Sequence, residues 1–217
     1  MTGSVLIIGA SRGIGLGFAQ SYALDGWEVH ATTRTPGDPG ALGEIAGNVS
    51  IHGLEVRDQA QISALSEVFE GRGLDVLIHS AGVLRGVTRD EMRAINADAP
   101  FDVVEALMPA VLRGRDRKIV ILSSQMGARN GGRTPSADYG ASKCLLNDRF
   151  RDLGPHWRSD GVCAVVFHPG WVSSDMGGAS APVSVTESVS GMRQVIDGLE
   201  ARSSGKFLTW KGTEHPW

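Results

Sequence analysis

Short runs of β-branched and apolar residues alternate along the chain with longer segments in which apolar residues recur every three or four positions. The short runs predict strands and the longer segments predict amphipathic helices, because these are the periods of the two structures. The predicted strands are residues 4–8, 28–33, 49–55, 75–79, 118–123, 162–168 and, last, 205–210. The predicted helices are residues 13–24, 59–70, 89–112, 137–157 and 185–201.

This regular alternation predicts an α/β fold, with one domain over residues 1–217. A helix between two strands returns the chain to the same end of the sheet, so the strands pair in parallel. We expect a Rossmann-type, doubly wound sheet of about seven strands, mostly parallel, with helices on both faces. In such sheets ligands bind beyond the carboxyl ends of the strands.

Composition narrows the classes of partner. The chain has 217 residues, of which 41% are hydrophobic and 21% charged, and a net charge of -3. Without a basic run or an apolar stretch of about 18 residues, we expect no nucleic acid and no membrane as partner. Only Cys144 and Cys163 occur, and no Cys/His cluster has metal-ligand spacing, so we expect no metal. The first strand begins too early for a signal peptide, which favours a reducing cytoplasm.

A glycine-rich turn joins the first predicted strand to the first predicted helix. It reads Gly9-Ala10-Ser11-Arg12-Gly13-Ile14-Gly15. Glycines in this context allow a tight turn and let the backbone approach a pyrophosphate, which the helix N-terminus then faces. The turn therefore predicts a dinucleotide site.

A tyrosine and a lysine stand four residues apart in a predicted helix, at Tyr139 and Lys143. Residues at this spacing share one helix face, so the ammonium can act on the phenol. Lowering a tyrosine pKa from about 10 to about 7 requires on the order of 4 kcal/mol. A cation about 4 Å away supplies on the order of 4 kcal/mol at an effective dielectric constant of about 20. The pair predicts a tyrosine that donates and accepts a proton.

The G-x-x-x-G-x-G spacing of the turn resembles the short-chain dehydrogenase/reductase family. The resemblance continues in register over nearly the whole chain, through Ser80-Ala81-Gly82, Asn96, Ser123-Ser124, the Tyr139/Lys143 pair and His168-Pro169-Gly170. More narrowly, residues 168–178 and the terminal Pro216-Trp217 resemble the C-factor branch of that family.

The resemblance implies a catalytic set of Asn96, Ser124, Tyr139 and Lys143. Tyr139 would be the general acid that protonates a carbonyl oxygen, and Lys143 would lower its pKa and bind the nicotinamide ribose. Ser124 would orient the substrate oxygen, and Asn96 would hold a water molecule that links Lys143 to solvent. Whether Ser123 or Ser124 faces the substrate stays open, because neighbouring side chains at a strand end point to opposite sides.

The cofactor is expected to be NADP(H) in preference to NAD(H). Residues 31–34 read Ala-Thr-Thr-Arg, without the acidic residue that binds a ribose 2′-hydroxyl in NAD-preferring relatives. Arg34 and Arg12 could instead bind a 2′-phosphate, although a lone arginine is more often a solvated surface residue. The predicted cofactor contacts are Gly9, Ser11, Arg12, Gly13, Ile14, Gly15, Arg34, Glu55, Val56, Ser80, Ala81, Gly82, Tyr139, Lys143, Pro169, Gly170 and Val172.

The resulting hypothesis is an NADP(H)-dependent oxidoreductase that interconverts a carbonyl and a secondary alcohol on a small-molecule substrate. One alternative is a nucleotide-binding signalling protein of C-factor type with little or no turnover. An epimerase or dehydratase with bound cofactor is another. Helices 89–112 and 137–157 resemble the pair that forms dimer interfaces in relatives, which implies a homodimer or homotetramer. Residues 177–182 are interpreted either as a lid or as a plain surface loop.

Overall fold

The computed structural model describes residues 3–129 and 137–217. Within these ranges the strands are β1 (Ser4–Ile8), β2 (Glu28–Thr33), β3 (Val49–Gly53), β4 (Val76–His79), β5 (Lys118–Leu122), β6 (Cys163–His168), β7 (Val172–Ser173), β8 (Val183–Ser184) and β9 (Lys206–Thr209). The α-helices are α1 (Gly13–Leu24), α2 (Gln59–Val68), α3 (Arg89–Arg93), α4 (Ala99–Arg113), α5 (Asp138–Ser159) and α6 (Val185–Asp197).

Seven of the strands form one sheet in the order β3-β2-β1-β4-β5-β6-β9. Every neighbouring pair is parallel, so the predicted doubly wound α/β fold is confirmed. The chain order reverses between β1 and β4, and the carboxyl ends of these two strands open a crevice there. The remaining strands, β7 and β8, pair with each other beside this sheet.

Both faces of the sheet are buried, as parallel strands require. In β1, Val5 and Ile7 belong to the core on one face, while Leu6 and Ile8 belong to the core on the other. All four side chains are fully buried. Burying each such side chain contributes roughly 1.5–3 kcal/mol, so the alternation along a single strand fixes its register.

The helix predicted over residues 89–112 is wrong as one continuous helix. A π-helical turn, Ala94–Asp98, separates α3 from α4. The capping box formed by Thr88 and Glu91 begins α3. Single π turns inside helices are rare and cost regular hydrogen bonding, and they often occur at functional positions. This one contains Asn96.

Several predicted ends are also displaced by a few residues. The strand predicted over residues 49–55 ends at Gly53, and beyond it the Glu55 amide donates to the Gln61 side chain at 2.7 Å. The helix predicted over residues 185–201 ends at Asp197, and Ala201–Ser203 forms a separate 3₁₀ turn. None of the helices described is long and apolar enough to cross a membrane.

Candidate active site

A cavity of about 750 Å³ lies at the carboxyl ends of the central strands. It runs from the loops after β2 and β3, across the glycine turn after β1, to the loops after β4, β5 and β6. Fourteen of the predicted cofactor contacts line it: Gly9, Ser11, Arg12, Gly13, Ile14, Arg34, Glu55, Val56, Ser80, Ala81, Gly82, Tyr139, Lys143 and Pro169. The cavity therefore joins residues from six separate parts of the sequence.

The glycine turn is closely packed against its neighbours. Gly9 has a φ of +82°, and a Cβ atom there would lie 2.7 Å from the Ala81 Cα atom. A Cβ atom on Gly15 would lie 2.1 Å from the Gly9 carbonyl oxygen. Thr32 supports the turn by accepting a 2.9 Å hydrogen bond from the Gly9 amide. Any side chain at position 9 or 15 would push the start of α1 away from the sheet and open this turn.

The two arginines predicted to bind a 2′-phosphate both line the cavity, but Arg12 has a partner that the sequence did not indicate. Its guanidinium lies 3.4 Å from the Asp175 carboxylate, and both side chains are mostly exposed. An exposed pair of this kind contributes roughly 0–1 kcal/mol, so Arg12 can exchange partners at little cost. Arg34 lies at the end of the cavity nearest Glu55.

Glu55 and Val56 lie on the same side of the cavity as Arg34. The Glu55 carboxylate accepts from the Arg57 guanidinium at 3.2 Å, which neutralises its charge. Val56 is buried and gives this end of the cavity an apolar wall. An apolar surface beside a neutralised carboxylate suits a flat heterocycle better than it suits an anion.

Asn96 is fully buried and uses its whole amide group within the protein. Its Oδ1 accepts from the Val83 amide at 2.8 Å, and its Nδ2 donates to the Val83 carbonyl at 2.8 Å and to the Ser142 hydroxyl at 3.0 Å. The side chain thus joins the loop after β4 to helix α5. The water molecule predicted at Asn96 stays a prediction, and it would have to use the backbone of the π turn.

The structure distinguishes the two neighbouring serines by their hydrogen bonds. The Ser123 hydroxyl donates to Asn147 at 2.6 Å, away from the reacting groups. The Ser124 hydroxyl bonds to the Tyr139 phenol, and it also accepts from the Met126 amide at 3.1 Å. Ser123 lines the cavity and Ser124 does not, but the Ser123 hydroxyl is already bonded to Asn147. Ser124 is therefore the serine whose hydroxyl belongs with Tyr139.

Lys143 is buried, and its ammonium donates to the Leu122 carbonyl at 2.9 Å. Burial lowers the lysine pKa to about 8. The short 3₁₀ turn after Ser124 packs directly on this part of α5, since a Cβ atom at Gly127 would lie 2.6 Å from the Lys143 carbonyl carbon. A Cβ atom at Gly82 would lie 3.7 Å from the lysine Nζ atom. Two glycines therefore hold the lysine at a fixed distance from both loops.

The expectation that Lys143 lowers the Tyr139 pKa is not met in the protein alone. Burial raises the pKa of Tyr139 above its usual value, and the hydrogen bond from Ser124 lowers it only in part. The Lys143 ammonium is directed instead at the Leu122 carbonyl, which accounts for the difference. Tyr139 is consequently protonated at neutral pH, which is the form that a general acid requires.

Three predicted cofactor residues, Gly15, Gly170 and Val172, do not line the cavity. Gly15 lies behind the turn, Gly170 packs against Trp210, and Val172 is buried in β7. Of the loop that follows, the cavity is lined by residues 174–176 and not by the predicted lid at 177–182.

Two contributors were missed by sequence reasoning. Thr32 supports the glycine turn, and its position in the second predicted strand gave no indication of that role. Arg85 lines the cavity from the loop after β4. Its position soon after Ser80-Ala81-Gly82, at the carboxyl end of a central strand, was a usable signal. Elsewhere in residues 3–129 and 137–217, no group of three or more His, Cys, Asp or Glu side chains is placed to hold a metal ion.

Comparison with known proteins agrees with this geometry. The sequence model of the short chain dehydrogenase family matches residues 4–184. C-signal of Myxococcus xanthus is 38% identical over 154 residues, which cover 66% of this chain and 93% of that protein.

Two solved structures are similar over their whole length. The NADPH-bound carbonyl reductase from chicken fatty liver is 34% identical, with a TM-score of 0.89 and coverage of 100% of this chain and 99% of that one. A short-chain dehydrogenase/reductase from Burkholderia multivorans with bound NADP is 27% identical, with a TM-score of 0.90 and full coverage of both chains. The chain belongs to the short-chain dehydrogenase/reductase family of oxidoreductases.

Proposed function

We propose that this protein reduces a carbonyl to a secondary alcohol, and catalyses the reverse reaction, with NADP(H) as cofactor. The observation that carries the proposal is a cavity lined by Lys143, by Tyr139 with its hydrogen bond to Ser124, and by Arg12 and Arg34. The similarity to an NADPH-bound carbonyl reductase supports it.

The residues present fit a dinucleotide. Gly9, Ser11 and Gly13 line the cavity where α1 begins, and the lack of a side chain at Gly9 and Gly13 lets a pyrophosphate approach the backbone at this helix N-terminus. Arg12 and Arg34 would bind the 2′-phosphate, and Val56 would contact the adenine. When bound, NADPH supplies the hydride for the carbonyl carbon. Lys143 is the residue placed to bind the ribose beside the reacting end.

The chain itself supplies the proton and the orientation. Tyr139 is protonated at neutral pH, and it can donate its proton to a carbonyl oxygen bound next to it. The Ser124 hydroxyl bonds to this phenol, and by turning to a bound carbonyl oxygen it would orient that oxygen for the proton. Lys143 lies on the same helix, but its ammonium bonds to the Leu122 carbonyl, so in the protein alone Ser124 is the group that favours the tyrosinate left after proton transfer.

Cofactor preference can be tested by thermal unfolding without ligand, with NADPH and with NADH. A ligand at about 100 times its dissociation constant adds about 2.7 kcal/mol, or roughly 5–10 °C for a chain of this size. We expect that shift with NADPH and a much smaller one with NADH.

Replacing Arg34 by Gln should bring the two shifts close together, since it removes a charged donor to the 2′-phosphate. Replacing Arg202, which lies outside the cavity and pairs with Glu200 at 3.1 Å, makes the same change in charge and serves as control. Equal shifts with NADPH and NADH in the unaltered protein would contradict the proposed preference.

A second candidate function is nucleotide-dependent signalling, which the 38% identity to C-signal favours. The two functions differ in their need for Tyr139. A signalling role that depends only on the bound nucleotide would survive the loss of this phenol, whereas carbonyl reduction would not. Assay of both activities in the same Tyr139→Phe protein separates them.

We also propose that the protein is a homodimer or homotetramer that pairs through α4 and α5. The support is the resemblance of these two helices to those that form interfaces in relatives. Light scattering during size-exclusion chromatography would give the mass directly. A mass of one chain across the working concentration range would contradict this proposal.

A further inference from the structure

The cavity wall carries more positive than negative groups, although the whole chain has a net charge of -3. Both of its carboxylates are already paired: Glu55 with Arg57 at 3.2 Å and Asp175 with Arg12 at 3.4 Å. Its cations are Arg12, Arg34, Arg85 and Lys143. A cleft with an excess of one charge attracts ligands of the opposite charge.

Arg85 is the cavity cation that neither the proposed cofactor nor the proposed proton transfer uses. Its guanidinium donates to the backbone carbonyl of Asp175 at 3.3 Å, which is a long bond to a neutral acceptor. No ion pair joins it to a carboxylate in the parts of the chain that the structure describes, and residues 1–2 and 130–136 contain no Asp or Glu. Its charge therefore has no counter-ion within the protein.

The position of Arg85 is tied to the reacting end of the cavity. The Asn96 amide binds both backbone groups of Val83 and also the hydroxyl of Ser142, which lies between Tyr139 and Lys143 on α5. Arg85 comes two residues after Val83, and two residues span at most about 7 Å. The backbone of Arg85 thus lies on the Tyr139 side of the cavity. Arg34 follows β2, which lies on the opposite side.

The surfaces around Arg85 are apolar. Val83 and Leu84 precede it, and Met176 lines the cavity from the loop after β7 with 39% of its surface exposed. A ligand bound at Arg85 would therefore meet apolar side chains beside the guanidinium. A guanidinium binds a carboxylate through two parallel, charge-assisted hydrogen bonds, which are stronger than its present bond to a carbonyl.

We propose that Arg85 binds a carboxylate of the substrate, so that the protein acts on carbonyl compounds that carry an acidic group beyond an apolar spacer. The placement of the carbonyl at Tyr139 rests on the proposed function. The carboxylate site itself depends only on the cavity and the charge of Arg85. The two can therefore fail separately.

The first test is calorimetric binding of benzoate and of benzamide to the NADPH-saturated protein. We expect benzoate to bind about tenfold more tightly, as a hydrogen bond to a charged group implies. Arg85→Gln should remove this preference, Arg85→Lys should keep part of it, and the Arg202→Gln control should leave it unchanged. Equal binding of the two compounds to the unaltered protein, or undiminished benzoate binding in Arg85→Gln, would overturn the proposal.

The second test compares reduction of the ketone 4-acetylbenzoate with that of its uncharged methyl ester. Arg85→Gln should lower kcat/KM for the acid about tenfold and leave that for the ester within a factor of about two. An equal loss for both ketones would indicate a structural role and count against the proposal. If neither ketone consumes NADPH while the benzoate preference persists and depends on Arg85, carbonyl reduction is contradicted and the carboxylate site is supported.

Discussion

Tyr139→Phe is expected to lower kcat for carbonyl reduction by a factor of about 10² to 10⁴ while leaving NADPH affinity nearly unchanged. The range is the usual contribution of a positioned general acid. The change removes one hydroxyl and leaves the ring, so the cavity wall keeps its shape. Turnover of a ketone and the thermal shift with NADPH, measured on the same preparation, check the two halves of this expectation.

Ser123→Ala is the matched control, because it also removes one hydroxyl from a buried residue of the same region. Its hydroxyl bonds to Asn147 and not to the phenol, so turnover should stay within a few-fold of the unaltered rate. Robust turnover in Tyr139→Phe would exclude the phenol as the acid. A greater loss in Ser123→Ala than in Ser124→Ala would reverse the assignment of the two serines.

Acid is expected to destabilise the protein strongly, because several of its histidines are buried in the neutral form. Burial, with a smaller contribution from the positive charge of Lys143, lowers the pKa of His79 to about 3. Burial lowers the pKa of His168 to about 4, aided by His215. Burial also lowers the pKa of His30 to about 4, and His52 adds to this effect. Each must stay uncharged for the chain to remain folded.

The direction of this pH dependence follows from the number of protons that the folded and the unfolded states bind. Between pH 6.5 and the folded-state pKa, the unfolded histidine is protonated and the folded one is not, so stability rises with pH. The stability that the neutral buried histidines contribute is complete above about pH 6.5, and it is lost as the pH falls toward 4 and then 3. A shift of the size seen for His79 corresponds to on the order of 5 kcal/mol, a large part of the 5–15 kcal/mol typical of a whole domain.

Urea unfolding of the unaltered protein and of His79→Gln at pH 7.5, 6 and 5 measures this effect. The variant should lose about 1 kcal/mol less than the unaltered protein between pH 6 and pH 5, whatever its stability at pH 7.5. His156→Gln removes an exposed histidine from α5. Its unfolding free energy should change with pH as much as that of the unaltered protein. The same slope in His79→Gln as in the unaltered protein would contradict a neutral buried His79.

The strands and their parallel pairing were accessible from the sequence because burial on both faces leaves a continuous apolar run. Val5 through Ile8 is such a run, and its ends are marked by Ser4 and Gly9. The π turn at Asn96 was not accessible. Local propensity predicts an unbroken helix there, and the bonds that fix the turn reach Val83 and Ser142 from distant parts of the chain.

In the candidate site, too, features with a local sequence pattern could be predicted, and features fixed by distant contacts could not. The glycine turn and the Tyr139/Lys143 pair have local spacings that carry physical meaning, so both were predicted and both line the cavity. The Arg12–Asp175 pair joins residues 163 positions apart, and no local pattern announces it. The direction of the Tyr139 pKa shift was likewise wrong, since desolvation depends on everything packed around the ring.

The close contact at Gly127 limits which substitutions the protein can accept near Lys143. Because the 3₁₀ turn rests directly on the backbone of Lys143, a larger residue at position 127 would displace one of the groups proposed to perform the chemistry. Arg85 and Met176 lie on other loops, and both side chains are exposed to solvent. Under the proposed function, substitutions at these two positions would alter what is bound while leaving the reacting groups in place. New specificities would then arise by single steps, each starting from a working catalyst.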